Sequence, residues 1–376
     1  MIYLDHAATS PILPCVKNAM LDAFENFSFN ASSLYTAGHL AKNKIEEART
    51  LVAKLINANP SEIIFTSGGS ESNNSIIHTF ESKTIAISKI EHPSILEPAK
   101  AYAKKLFLLP VDEFGLLETS DLPKADLYSV MLANNELGTI EPLEKLKKEK
   151  PFKFIHSDLT QAIGKIPIDV KKLGLDYATF SAHKIGGPLG VGAIYVRTNA
   201  PFKPLILGGH QENSLRAGTY NVPGIVGFGA AANYVLEKNT PKIYKEKIRP
   251  LRDELARLII KKIPNSSLNT NLEKSLPNIL NVSFAAAEGE SIQLYLDLKG
   301  GICASTGSAC AAGDIKPSHV IMSTKHDAEI AHSSIRFSLG LETTEDDVNS
   351  VMKILPEIIE NLQSISTIKI KGAKND

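Results

Sequence analysis

The stretch that decides the reading is Asp176-Tyr-Ala-Thr-Phe-Ser-Ala-His-Lys-Ile-Gly-Gly-Pro188. Its first half is strand-like, and the Gly-Gly-Pro that follows breaks any regular element. Lys184 therefore falls just past the end of a buried strand, where the backbone holds it still. Ser181 and His183 can donate hydrogen bonds to an anion, and the glycines let a bulky ligand approach the main chain. An amine so placed can form a Schiff base with an aldehyde. A single lysine is more often a solvated surface charge, so the meaning of Lys184 depends on what the rest of the chain brings to it.

Working outward, short apolar runs alternate with helical stretches. The runs are Glu62–Thr66, Thr84–Ser88, Leu127–Leu132, Phe152–His156, Tyr177–Ser181 and Gly192–Val196. Helical spacing of apolar residues is clear over Pro14–Phe27 and Gly38–Asn57. Strands apolar on both faces and separated by helices predict a largely parallel sheet covered on two sides. Such sheets bind ligands beyond the carboxyl ends of their strands. The polar clusters fall there: Ser67-Gly-Gly-Ser-Glu-Ser72, Glu91-His92-Pro93, Asn134-Asn135-Glu136, Ser157-Asp158-Leu-Thr-Gln161 and the Lys184 turn. A boundary is expected near residue 245, giving a large domain over 14–245. A smaller α+β domain then comprises 1–13 and 246–376. In it, Asn278–Phe284 and Ser334–Leu339 read as strands. A closing helix opens on Thr344-x-x-Asp347, a near capping box.

Composition narrows the class. The 376 residues are 43% hydrophobic, enough for a substantial core, and 41 basic residues balance 41 acidic ones. A balanced charge argues against direct nucleic-acid binding or an anionic membrane surface. No segment has the length of a membrane span. The three cysteines, Cys15, Cys303 and Cys310, suggest neither a disulfide framework nor a cysteine-ligated metal site. With no signal-peptide pattern at the N-terminus, a cytoplasmic protein is expected.

A pyridoxal 5'-phosphate site would need an imine lysine, an anion cradle, a carboxylate for the pyridinium nitrogen and a group stacked on the ring. Lys184 supplies the first. Gly68-Gly69-Ser70, glycines opening a helix, can cradle a phosphate, although a serine-capped turn is the plainer reading. Asp158 at a strand end is the candidate for the ring nitrogen, with a helix N-cap as its commoner role. Gln161 lies within reach of the ring's phenolic oxygen. His92 follows its strand in the same row as the others. Cys310 sits in Ala304-Ser-Thr-Gly-Ser-Ala-Cys-Ala-Ala-Gly313, whose composition is that of a mobile exposed loop, so its thiol is a candidate nucleophile. Arg336, between Ile335 and Phe337, is either a solvated strand arginine or a bidentate clamp for a substrate carboxylate.

In this order and spacing the chain resembles the pyridoxal-phosphate-dependent cysteine desulfurases of the nitrogen-fixation and iron–sulfur-cluster type. The matching pieces are Tyr3-Leu-Asp-His-Ala-Ala-Thr9, Phe65-Thr-Ser-Gly-Gly-Ser-Glu-Ser72, Glu91-His92, Asn134-Asn-Glu136, Asp158-x-x-Gln161 and Ser181-Ala-His-Lys184. They continue with Leu215-Arg-Ala-Gly-Thr219, Ser305-Thr-Gly-Ser-Ala-Cys310 and His332–Gly340. The resemblance implies an α/β, aspartate-aminotransferase-like fold (type I of the pyridoxal-phosphate transferases) and a homodimer. It implies that Lys184 carries the imine, His92 stacks on the ring, Asp158 binds the pyridinium and Gln161 the phenolic oxygen. Gly69, Ser70, Ser181 and His183 would hold the phosphate, with Thr219 from the other subunit. Asn135 and Arg336 would bind L-cysteine, and Cys310 would accept its sulfur for an acceptor protein, such as an iron–sulfur scaffold or a tRNA-thiolation relay. No resident metal is implied, although Cys310 could touch a cluster in passing. The competing readings are a selenocysteine lyase or other class V transaminase or lyase, and an inactive binding module of the same fold. The thiol in its Gly-Ser-Ala loop favours sulfur transfer, since a transaminase has no use for it.

Overall fold

Alternate residues of the central strands point to opposite faces of one sheet and build two different cores. Phe65, Ala178 and Phe180 join one with Val16, Ile45, Val52 and Phe228. Ile64, Tyr177 and Ile194 join the other with Ile76, Ile77 and Ile95. The computed structural model describes residues 1–149, 151–306, 317–325 and 327–368. Its main sheet has seven strands, in the order Ile63–Thr66, Gly192–Val196, Tyr177–Ser181, Phe152–Asp158, Ala125–Ser129, Thr84–Ser88 and Lys105–Leu109. All run parallel except Gly192–Val196, which is antiparallel to both neighbours. That strand returns directly from the Lys184 turn, and so short a connection cannot reach a parallel position.

Two strand readings change. Lys105–Leu109 is an edge strand that the sequence reading passed over, because it follows the helix Pro93–Tyr102 almost without a break. The expected Leu127–Leu132 strand is observed as Ala125–Ser129. Val130 and Leu132 leave the ladder, yet their N–H groups still donate to His156 O and Asp158 O at 3.1 and 3.0 Å. The apolar run thus tracks its neighbour to the sheet's carboxyl edge.

A separate core, apart from those two, gathers Leu4, Leu255, Ile259, Val282, Phe337 and Ile359. It packs a three-stranded antiparallel sheet, Ser334–Ser338, Ile279–Phe284 and Ser266–Leu268, against the helices Arg249–Lys262, Gly289–Gly300 and Glu345–Ile365. The last of these opens on the expected capping box, in which Thr344 N donates to Asp347 Oδ2 at 2.9 Å. The charged stretch from Lys242 is helical but interrupted by a π turn over Tyr244–Ile248. Pro250 lies just beyond and has no N–H for a regular i→i−4 bond, which accounts for the irregularity.

One buried ion pair ties the sheet to a strained loop. Arg49, 7% exposed, donates from Nη1 and Nη2 to the two carboxylate oxygens of Glu212, 6% exposed, both at 2.7 Å. Phe65 N donates to the same carboxylate at 2.9 Å. Glu212, Asn213 and Ser214 have φ of 49, 55 and 65°, all in the left-handed region that costs a non-glycine residue about 1 kcal/mol each. Arg49 also bonds Glu46 at 3.0 Å, so it keeps one acidic partner if Glu212 is lost. Glu212→Gln is expected to lower unfolding stability by about 3 kcal/mol, measured by denaturant titration with the slope unchanged.

Candidate active site

The carboxyl ends of the parallel strands open into one polar cleft of about 310 Å³. It is walled by Gly69, Ser70, His92, Asn135, Asp158, Gln161, Ser181, His183 and Lys184. Nine residues named from the sequence therefore meet in a single cavity. Gly69 N donates to Ser181 Oγ at 2.8 Å, so the start of the helix Gly69–Thr79 lies against the end of the Lys184 strand. A Cβ on residue 69 would come within 2.9 Å of that hydroxyl, which explains the glycine. Ser70 is exposed to the cleft.

Lys184 is held by the N-terminal segment. Its Nζ donates to Ala7 O at 2.5 Å and Ala8 O at 2.7 Å. The same segment bonds the turn itself: Ser10 N donates to His183 O and Leu13 N to Gly186 O, both at 3.0 Å. Gly186, at φ 76°, ends the turn in a conformation that suits only glycine well, and a Cβ there would strike Leu13. Burial, reinforced by the Arg336 charge and opposed by Asp158 and Asp5, pushes the amine of Lys184 down to about 8. His183, bonded through Nδ1 to Thr9 Oγ1 at 3.0 Å, is driven down to about 4 by burial and by the two nearby lysines, Lys184 and Lys165.

Asp158 is not a simple helix cap. One oxygen accepts from Thr160 N and the other from Asn73 Nδ2, both at 2.8 Å. Asn73 also donates to Ser94 Oγ at 2.8 Å. With that acceptance made, Ser94 Oγ–H points to His92 Nδ1 at 2.7 Å and leaves Nε2 of His92 as the protonated nitrogen. Burial pushes His92 below the usual histidine range, against the pull of Asp158. Behind Asn73, Thr179 Oγ1 donates to Asn73 Oδ1 at 2.5 Å. Thr179 must then accept from His156 Nε2 at 3.0 Å, while Ser129 Oγ lies 2.8 Å from His156 Nδ1. Burial holds His156 near 4, so it is neutral. Asn73 thus orients both Asp158 and His92, and the sequence reading missed it. The available signal was its position on the same helical face as Gly69 and Ser70.

Other expected residues stand differently. Gln161 donates through Nε2 to Ala7 O at 2.9 Å, which leaves one amide hydrogen for a ligand. Arg336 is 4% exposed, not a solvated strand residue. It bonds Asn135 O at 2.8 Å and pairs with Asp5 at 2.7 Å, at the edge of the cleft and not in its wall. Thr219 is exposed and lines a different hollow, with Ser67 and Arg216. Cys310 lies outside the described residues, and Cys15 is exposed.

A lysine on a strand-end turn, facing an anchored carboxylate and a helix N-terminus across a parallel α/β sheet, is the arrangement of a pyridoxal-phosphate-dependent enzyme of the aspartate-aminotransferase type. Residues 2–351 match the aminotransferase class-V family model. The chain is 44% identical over 384 residues to the cysteine desulfurase IscS of Dictyoglomus turgidum, covering 98% of this chain and 97% of that one. A solved NifS-like protein superposes with TM-score 0.87 at 36% identity, covering 96% of this chain and 99% of the other. A structure of SspA in complex with cysteine superposes with TM-score 0.76 at 29% identity, covering 92% and 100%. The chain belongs to the class V aminotransferase family, and within it to the pyridoxal-phosphate-dependent cysteine desulfurases.

The cleft suits that cofactor on its own terms. Thr160 Oγ1 and Gln161 Oε1 are buried there without a partner among the described residues, and Lys184 has a depressed pKa. An ordinary lysine amine is almost wholly protonated at pH 8, whereas that of Lys184 is half neutral. In cofactor-free protein, the rate of pyridoxal phosphate capture, read by stopped-flow absorbance, is expected to rise with pH and level off above about 8. Asp158→Asn removes a charge that favours the protonated amine and is expected to move the rise to lower pH.

Proposed function

We propose that the cleft residues release sulfur from L-cysteine, leaving L-alanine and a persulfide on Cys310, and that each acts as follows. The observation carrying this reading is the convergence of Lys184, Asp158, His92, Ser181 and His183 on one cavity. Pyridoxal phosphate, when bound, supplies an electrophilic carbon for amines and a ring that takes up carbanion charge. Ser70, Ser181 and His183 would hold its phosphate, with Gly69 bringing the helix start against Ser181 and leaving the cradle open. Asp158, fixed by Asn73 and Thr160 N, would hold the ring nitrogen, Gln161 the phenolic oxygen, and His92 would stack on the ring.

Arg336 and Asn135 bind the substrate carboxylate. Lys184 would move protons at the substrate carbons, a task suited to an amine whose pKa is about 8. The Cys310 thiolate attacks the substrate sulfur. An S–S bond forms, the C–S bond breaks, and its electron pair stays with the carbon fragment, which is protonated and leaves as alanine. The persulfide sulfur then passes to an acceptor protein, such as an iron–sulfur scaffold or a tRNA-thiolation relay.

The working unit in this reading is a cytoplasmic homodimer. No helix among the described residues is long and apolar enough to cross a membrane. Leu21, Phe24, Leu34, Tyr35 and Leu207 leave large apolar side chains in solvent, as an interface would. Thr219, away from its own cleft, would reach the phosphate of the partner. The chain would divide into a large domain over 14–245 and a small one from 1–13 and 246–376, in keeping with the two separate cores.

Cys310→Ala is expected to bind L-cysteine and shift the cofactor spectrum yet lose alanine and sulfide production by a thousandfold or more. An undiminished rate would remove Cys310 from the mechanism. A second measurement tests the dimer. Thr219→Ala and Lys184→Ala chains are each expected to be weak alone. Mixed, they should form heterodimers in which one cleft has both groups if Thr219 acts across the interface, and neither cleft has both if it acts within its own chain. Recovery of activity on mixing supports action in trans, and absence of recovery refutes it.

A further inference from the structure

A second cavity of about 220 Å³ lies on the other side of the Lys184 turn. Its volume equals about seven waters at liquid density, room for a small organic ligand and little more. Ile12, Leu13, Ile163, Ile185, Val235 and Leu341 form its walls. At its centre is a lysine that the chemistry of the cleft does not use. Lys165 is 1% exposed, yet it has no acidic partner among the described residues. Its ammonium nitrogen makes one contact, to Lys184 O at 3.5 Å, longer than the usual 2.7–3.2 Å. At least two of its donors are therefore spare, in a site where an unpaired charge is costly.

Further polar groups line the same space without partners. Tyr244 is 6% exposed, and neither its hydroxyl nor that of Tyr234 has a hydrogen-bond partner among the described residues, although both residues line the cavity. A buried tyrosine hydroxyl ordinarily finds one. His6, 8% exposed, closes the side nearest the N-terminal segment, with Nδ1 3.4 Å from Ser10 Oγ. Glu342 is the acidic group of the lining and is exposed.

We propose that this cavity is a binding site for a small monocarboxylate with an apolar tail, its carboxylate on the Lys165 ammonium and the Tyr234 and Tyr244 hydroxyls. The apolar walls take the tail. Glu342 disfavours a second negative charge, so dicarboxylates are excluded. The site stands apart from the desulfurase reading, because none of its three headgroup residues lines the catalytic cleft. Its roof is the segment whose Ser10 and Leu13 amides bond the Lys184 turn, so an occupant would stiffen that turn from behind.

Burial and the Lys184 charge push Lys165 down to about 7. A bound carboxylate favours the ammonium, so binding takes up a proton and weakens as pH rises. The other groups facing Lys165 are His6, held near 4 by burial and by Lys165 and so neutral at pH 6.5–8.5, the two tyrosines, Glu342 and Lys184.

The test is calorimetric titration of the cofactor-loaded protein with 4-methylpentanoate. One site with a Kd of about 1 mM or tighter is expected, weakening roughly tenfold or more from pH 6.5 to 8.5. Its neutral amide and succinate should not bind. Lys165→Met, an apolar replacement of similar length that buried sites commonly tolerate, should abolish binding. Ile12→Trp, at a half-exposed wall position, should block the cavity without touching the headgroup site. Arg336→Lys should bind as wild type. Absence of heat in the wild type, binding that survives both Lys165→Met and Ile12→Trp, or loss of binding in Arg336→Lys would each overturn the proposal, the last by moving the ligand to the catalytic cleft.

Discussion

Lys184 donates to two main-chain carbonyls, those of Ala7 and Ala8, in the wall of the cleft, and the site is organised around that arrangement. A lysine side chain carries about 2 kcal/mol of rotamer entropy, and an unanchored amine would spend little time in any one direction. Here the direction is set by a segment that begins in the separate core, at Leu4, and crosses to the large sheet by Ala7. The carbonyls stabilise the ammonium, while burial and Arg336 disfavour it. The balance leaves an amine near neutrality, aimed and ready to react.

The opposite wall is organised through Asn73. Both hydrogens of its amide and its carbonyl oxygen are used, by Asp158, Ser94 and Thr179. An amide with every group engaged cannot rotate without breaking three bonds, so Asp158 and His92 share one fixed reference. The chain Ser129–His156–Thr179–Asn73 has a single consistent proton direction, ending on the Asp158 carboxylate. Donors on both oxygens of Asp158 fix the orientation of its carboxylate toward the cleft.

Much of this was legible because parallel sheets put chemistry at strand ends. The runs around Ser67, His92, Asp158 and Lys184 could be aligned without knowing the strand order, and the cleft joins them. Long-range pairing was harder to read. Nothing local to Arg49 announces Glu212, 163 residues away. Nor does the sequence around Arg336 reveal Asp5, so its burial and prior ion pair were missed. Asn73 escaped for a different reason. Helical asparagines are common surface residues, and its role appears only when the strand bearing Thr179 is set beside it. The Lys105–Leu109 strand escaped although Leu106–Leu109 is an unbroken apolar run, because it follows the preceding helix almost without a break.

Lys184, in the 182–185 turn, and Lys165 behind it show how position sets chemistry. Lys165 is buried and Lys184 half-buried, and each disfavours a further positive charge nearby: His183 feels both. Lys184 has two short acceptors and two acidic neighbours, and it keeps its proton up to about pH 8. Lys165 has one long acceptor and no paired acid among the described residues, and it gives up its proton about a unit earlier. The second amine is therefore neutral over much of the range in which the first begins to react. That order limits the repulsion across the turn, since Lys165 sheds its charge before Lys184 must share the same low-dielectric wall with it.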